Sequence, residues 1–201
     1  MQLPTHQTHR KLVLASTSRY RRELLERLRI PFTVQAPEVD ETPQAGELPA
    51  QLAQRLALAK AEAVAGLHPD SVVIGSDQVA DREGLCLGKP GSHKRAVEQL
   101  RQMSGKWVVF QTAVAVVCRD SRFSQQALAA VRVQFRQLSE RDIENYLHRE
   151  NALDCAGSAK SEGLGIALLE RIDSDDPTAL IGLPLIRTAA LLRTAGLDAL
   201  A

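Results

Sequence analysis

The chain is poor in aromatic side chains, which make up 3% of its 201 residues, so a surface that stacks successive bases of a nucleic acid would have few members to draw on. It also lacks an excess of either charge. With 25 basic and 24 acidic residues the formal net charge is +1, which argues against a strongly basic nucleic-acid surface and against a polyacidic tail. Any anion site must therefore be local. The three cysteines, Cys86, Cys118 and Cys155, are an odd number without C-x-x-C spacing, which suits neither a disulfide framework nor a zinc knuckle. Reduced thiols make the cytoplasm the default location. No segment supplies the roughly 18 uninterrupted apolar residues of a membrane span, and the polar residues 1–10 lack the apolar region of a signal peptide. They read as a flexible leader to a single domain over 11–201.

Several common chemistries are missing too. The chain has no G-x-x-x-x-G-K-[ST] phosphate loop, no G-x-G-x-x-G dinucleotide fingerprint, no H-E-x-x-H zinc motif and no G-x-S-x-G nucleophile elbow. Its five histidines, at 6, 9, 68, 93 and 148, fall in the leader and at helix ends or a helix start, which gives a histidine-centred mechanism little support.

What is present is a set of basic groups and carboxylates on an alternating pattern of strands and helices. The apolar run Leu12 to Ala15 reads as a short buried strand that stops at Ser16-Thr17-Ser18, where a helix over 19–29 begins with Arg21 and Arg22. Small hydroxyl residues cap a helix start, and its free amides, with the positive end of the dipole, form an anion site beside two guanidinium groups. A strand over 32–36 and an acidic loop containing Glu38, Asp40 and Glu41 follow; such a loop either holds a hard cation or is simply solvated.

Pro49 opens a long helix with Leu52, Leu56, Ala59, Ala63 and Leu67 at helical spacing. Lys60 lies at the border of that stripe, where snorkelling to water is the default for a lysine. A buried strand over 71–75 runs into Gly75-Ser76-Asp77-Gln78, and an Asp just beyond the carboxyl end of a strand is a catalytic candidate. Residues 81–91 read as a loop or hairpin that carries Lys89 between Gly88 and Pro90. Ser92 caps a helix through Met103, strands follow at 107–118 and 127–136, and Ser139 with Asp142 makes a capping box for a helix to Arg149. The Gly-rich segment 154–165 suits the lining of a site, ahead of a strand over 166–172 and a last helix over 185–194. The pattern is α/β with a mixed sheet.

The ordered set LASTSRYRRELL, PEVDE, the Lys60 helix, IGSDQV, GKP, SGK, CAGSAKSEGLG and IGLPL resembles the Maf family of nucleotide pyrophosphatases, in the branch that acts on 7-methyl-GTP. The resemblance runs from residue 11 to about 196. It implies an elongated, twisted sheet flanked by helices, two lobes with a central cleft, and hydrolysis of a nucleoside triphosphate to the monophosphate and pyrophosphate. Such an enzyme would prevent misuse of modified nucleotides. It implies a divalent cation, Mg²⁺ or Mn²⁺, a small-molecule nucleotide as partner, neither nucleic acid nor membrane, and a possible homodimer. By motif, Asp77 is the proton acceptor for water, and Glu41 with Asp77 is the metal pair. Ser16, Arg21, Arg22, Lys60 and Lys89 surround the phosphates, while Tyr20, Gln78 and Glu162 discriminate between substrates. Two alternatives stay open: a pyrophosphatase of dTTP and UTP type or broad specificity, and a nucleotide-sensing regulator of cell division. Arg19 and Tyr20 depart from the Pro and Trp usual in that branch. An aromatic face attracts a cationic methylated guanine, and a carboxylate accepts from its N1 and N2 edge.

Overall fold

The computed structural model describes residues 10–201, so the expected leader lies, but for Arg10, outside the described residues. Seven strands form one mixed sheet. Strand β1 (Leu12–Ala15) pairs in parallel with β2 (Phe32–Val34) on one side and β3 (Val72–Arg82) on the other. From β3 onward the pairing is antiparallel, through β5 (Trp107–Cys118) and β6 (Phe123–Phe135) to β7 (Leu169–Asp173), with the short β4 (Leu85–Leu87) folded back on the end of β3. The order is β2-β1-β3-β5-β6-β7. The two-residue β3–β4 turn uses Glu83 at φ 54° and Gly84 at φ 88°, the pair of positive dihedrals that a tight hairpin needs.

Alternation along the sheet sorts its side chains into two faces. On one face Val13, Ala15, Val73, Val79, Ala113 and Ala115 pack against α2 (Pro49–Leu67). The opposite face carries two cores. Leu12, Leu14, Ile74 and Val116 meet α1 (Arg19–Glu26) and α5 (Leu185–Thr194), while Ala80, Phe110, Val131 and Val133 meet α3 (His93–Met103) and α4 (Glu140–Arg149). Between these two cores Ser76, Gln78 and Thr112 interrupt the apolar pattern, and this seam divides the molecule into its two lobes.

Several expected boundaries shift for physical reasons. The first helix ends at Glu26 rather than 29, because Arg29 takes a left-handed turn at φ 56° ahead of Pro31. The second strand is only Phe32–Val34, an edge strand for which β1 provides three partners. Strand β6 begins at Phe123, not 127, because its polar start pairs residue for residue with the apolar end of β5. The final strand starts at Leu169, since Leu164–Leu168 closes into a tight 3₁₀ turn. The buried face of α2 is also different from the expected stripe. Ala53, Ala57, Lys60, Ala61 and Val64 point inward, whereas Ala63 and Leu67 are exposed. Gly75 explains the rotation: a Cβ there would lie 2.2 Å from the Ala57 carbonyl oxygen and 2.6 Å from the Ala61 nitrogen, so helix and strand backbones touch directly.

Candidate active site

The site arises where β1 stops and β3 does not. Gly75 pairs with Ala15, the last residue of β1, and Ala80 pairs with Leu87 of β4, so residues 76–79 of β3 have no strand beside them on that edge. Asp77 therefore lies within a long strand, not beyond its carboxyl end. It borders a cleft of about 700 Å³ because its neighbour is missing, a volume in the range of small-molecule sites.

The close contact at Gly75 carries Lys60 over Asp77. The lysine is 5% exposed and does not snorkel: its Nζ donates to Asp77 Oδ1 at 2.7 Å and lies 2.6 Å from Glu41 Oε1. One ammonium thus bridges carboxylates from a strand and a loop. Of the three acidic residues of that loop, only Glu41 lines the cleft. Asp40 turns back to accept from the Thr42 amide at 2.9 Å, and Glu38 is exposed. Arg55 of α2 anchors the loop by gripping Glu47 at 2.6 and 2.8 Å and the Thr42 carbonyl at 3.1 Å. Partial desolvation pushes the Glu41 carboxyl up, but the hydrogen bond and charge of Lys60, with Lys89 and Arg21 behind it, more than offset this and leave it below its usual value.

The turn after β1 forms one wall of the cleft. Ser16 Oγ accepts from the Ser18 amide at 3.1 Å, and Ser18 caps α1 by accepting from the Arg21 amide. Among the described residues, the Thr17, Arg19 and Tyr20 amides have no protein acceptor, so the helix start is left open, a geometry suited to an anion. Arg21 lines the cleft and donates from Nε to the Gly182 carbonyl at 2.9 Å. Burial lowers its guanidinium from the usual value, opposed by the charges of Asp77 and Glu41. Arg22 does not join them. It lies on the outer face of α1, where it pairs with Glu26 at 3.1 Å. Lys89 stands exposed on the opposite lip, on a turn held because the Gly88 carbonyl accepts from the Gly157 amide at 3.3 Å and Gln99 Nε2 at 3.0 Å.

Across the cleft mouth, Tyr20 is lodged between charges. Arg19 Nη2 donates to its hydroxyl at 2.7 Å with the guanidinium carbon 4.7 Å from the ring centroid, and Lys160 Nζ lies 6.0 Å from that centroid. The hydroxyl donates to Asp154 Oδ1 at 3.4 Å, a contact between the two lobes. Desolvation pushes the phenol up to about 12, against the opposing hydrogen bond from Arg19. Glu162 stands on the same rim, its carboxyl raised mainly by desolvation from the surrounding walls. Gln78 points to the other side of the sheet from Asp77. Its amide donates to Thr112 Oγ1 and the Ala179 carbonyl at 2.9 Å and to the Leu180 carbonyl at 3.0 Å. With Ser76, which donates to the Gly182 carbonyl at 3.1 Å, it ties the IGLPL turn to the sheet.

Sequence reasoning missed the support of Glu162. Glu150, at the end of α4, holds Lys160 Nζ at 2.6 Å and accepts from the Leu164 amide at 3.0 Å, so its carboxylate spans the turn that carries Glu162. Gly163 leaves room for this, since a Cβ there would sit 2.4 Å from Glu150 Oε2. An acidic residue at a helix end gives no sign of such a partner; only the glycine-rich spacing hinted at a tight approach.

The donor set also fits a hard divalent cation. Asp77 Oδ2 and Glu41 Oε2 accept no hydrogen bond from the described residues, and the partners of both carboxylates converge on one ammonium. All-oxygen ligands completed by phosphate and water are what Mg²⁺ prefers.

Comparison with known proteins bears on this arrangement. The family model described as "Maf-like protein" matches residues 11–195. A 7-methyl-GTP pyrophosphatase of Polaromonas sp. is 70% identical over 189 residues, 94% of this chain and 86% of the relative. The protein of that name from Albidiferax ferrireducens is 65% identical over 191 residues, covering 95% and 96% of the two chains. The one from Bordetella avium is 57% identical over 195 residues, covering 97% and 98%.

Proposed function

The chain belongs to the Maf-like family, and from that premise we propose that it is a hydrolase of nucleoside triphosphates that releases pyrophosphate, with 7-methyl-GTP or a closely related modified purine nucleotide as substrate. The observation that carries the reading is Lys60 bridging Asp77 and Glu41 beside an open helix start. In this reading the Thr17, Arg19 and Tyr20 amides, with Ser16, Arg21 and Lys89, receive the triphosphate. Asp77 takes a proton from water as its oxygen attacks the α-phosphorus, and the bond to the bridging oxygen breaks to release pyrophosphate. Lys60 holds the Asp77 and Glu41 carboxylates in position and limits their repulsion as the phosphates enter. Glu41 and Asp77 would hold a divalent cation, which supplies charge neutralisation on the phosphates. The helix start and basic groups position the reacting phosphorus, the main catalytic demand of phosphoryl chemistry.

For the base, Tyr20 offers an aromatic face and Glu162 a carboxylate acceptor. Asp154 and Glu162 supply negative charge beside Arg19 and Lys160, so that a cationic purine is not met by positive charge alone. Gln78 supports selectivity indirectly, through the IGLPL turn it fastens. The test is pyrophosphate release over a panel of 7-methyl-GTP, GTP, dTTP and UTP, with magnesium, for the wild type and Glu162→Gln. The expected wild-type order has 7-methyl-GTP first, with the variant losing on it relative to the pyrimidine nucleotides. Faster turnover of dTTP or UTP by the wild type would favour the pyrimidine-directed alternative, and an unchanged preference ratio in the variant would remove Glu162 from base reading.

A further inference from the structure

Helices α3 and α4 pack antiparallel, and a polar seam runs along their outer edge. At one end Arg101 grips Glu140 with Nε at 2.7 Å and Nη2 at 2.5 Å. At the other end, His93 opens α3 while Glu144 and His148, one turn apart, share a face of α4. His93 Nε2 lies 3.1 Å and His148 Nε2 3.9 Å from the same Glu144 Oε2, and the two imidazole rings are 5.8 Å apart. One donor atom from each of the three residues lies within 4.8 Å of the other two. Ligands on a tetrahedral zinc at about 2.0–2.1 Å stand about 3.3 Å from one another, so small rotamer changes would bring all three onto one ion.

We propose that His93, Glu144 and His148 form a second metal site, outside the cleft, for a borderline divalent ion of the zinc class. Two imidazoles and one carboxylate form a donor set used for zinc, unlike the oxygen-only set at Asp77 and Glu41, so the two sites select different ions. The location gives such an ion a structural effect. His93 follows the Lys89 turn by four residues, and His148 precedes Glu150, the support of the Glu162 turn, by two. A metal bridging them pins the two chain segments that deliver these cleft groups. The inference is independent of which nucleotide is hydrolysed.

The experiment is calorimetric titration of the full chain with Zn²⁺ in magnesium-free buffer, in a His6→Ala/His9→Ala background that removes the leader imidazoles. One zinc per chain is expected to bind, and to raise the thermal unfolding midpoint. His93→Ala and His148→Ala should each weaken binding by about tenfold or more, while Asp77→Asn should leave it intact. Pyrophosphate release with magnesium and no zinc should match in His148→Ala and wild type. Absent binding, binding unchanged in the His93→Ala/His148→Ala double variant, or binding lost in Asp77→Asn would each overturn the site. Binding without a rise in midpoint would overturn the pinning role.

Discussion

At the scale of single residues, Asp77 and Lys60 depend on one another. A lysine in a dry cleft wall is costly unless paired, and two carboxylates converging in a cleft repel each other unless a cation stands between them. The contacts of 2.6 and 2.7 Å meet both needs at once. Asp77→Asn keeps an oxygen to accept from Lys60 and nearly the same volume, so the fold should persist, whereas the group proposed to take the proton from water is lost. Turnover is expected to fall by about 10²- to 10⁴-fold with little change in thermal midpoint. Hydrolysis at the wild-type rate would remove Asp77 from the proton-transfer step. Arg22 illustrates the opposite case, since one residue along a helix turns a side chain by about 100°, enough to take it from the cleft wall to solvent beside Glu26.

Between elements, the decisive contact is that of α2 with β3. Ala57, Ala61 and Gly75 let the two backbones approach closely, and this approach brings Lys60 within reach of Asp77, two residues along the same strand face from Gly75. Gly75→Ala would set a methyl group 2.2 Å from a backbone oxygen that no rotamer change can move. The helix must then back away. The expected result is a destabilisation of about 1–3 kcal/mol or more, read by thermal unfolding, with turnover reduced even in the fully folded protein. A variant with unaltered stability and turnover would show that Lys60 does not owe its position to this contact.

For the molecule as a whole, the two lobes share one sheet, and loops gathered around the unpaired edge of β3 at residues 76–79 make the cleft. Carboxylates that fasten such peripheral segments also set the response to acid. The Arg55 hydrogen bond first, then the Gln44 amide, holds Glu47 down from 4.5 to about 2, and the Ser139 hydroxyl and amide, with Arg136, hold Asp142 down from 3.8 to about 2. With the folded values lower, the unfolded chain binds more protons at acid pH, so this stabilisation is complete above about pH 5 and is lost as pH falls through the unfolded values toward 2. Urea midpoints should therefore be flat from about pH 5 to 7 with respect to these groups and decline below, with a shallower acid decline in Asp142→Asn. A midpoint that stays constant down to about pH 3 would contradict the role of these pairs. Among the described residues no helix is long and apolar enough to cross a membrane.

The sequence by itself determined most of the elements, because their signals are local. The alternation in β6, the caps at Ser18, Ser92 and Ser139, and the glycine-rich 154–165 segment each act within a few residues of where they are read. It also singled out Asp77, Lys60, Glu41 and the Ser16 turn through the resemblance, and the comparisons agree on the family. Only the tertiary structure decided how those residues meet. The buried face of α2 was misjudged because a helix read by hydropathy does not count a lysine as inward, yet two distant carboxylates make that burial possible. Asp77 faces the cleft because β1 ends five residues short of where β4 takes up the same edge of β3, a fact of pairing that no single strand carries. Glu150 under the Glu162 turn, Gln78 under the IGLPL turn and the meeting of His93 with His148 arise in the same way, from side chains far apart in sequence that the fold alone makes neighbours.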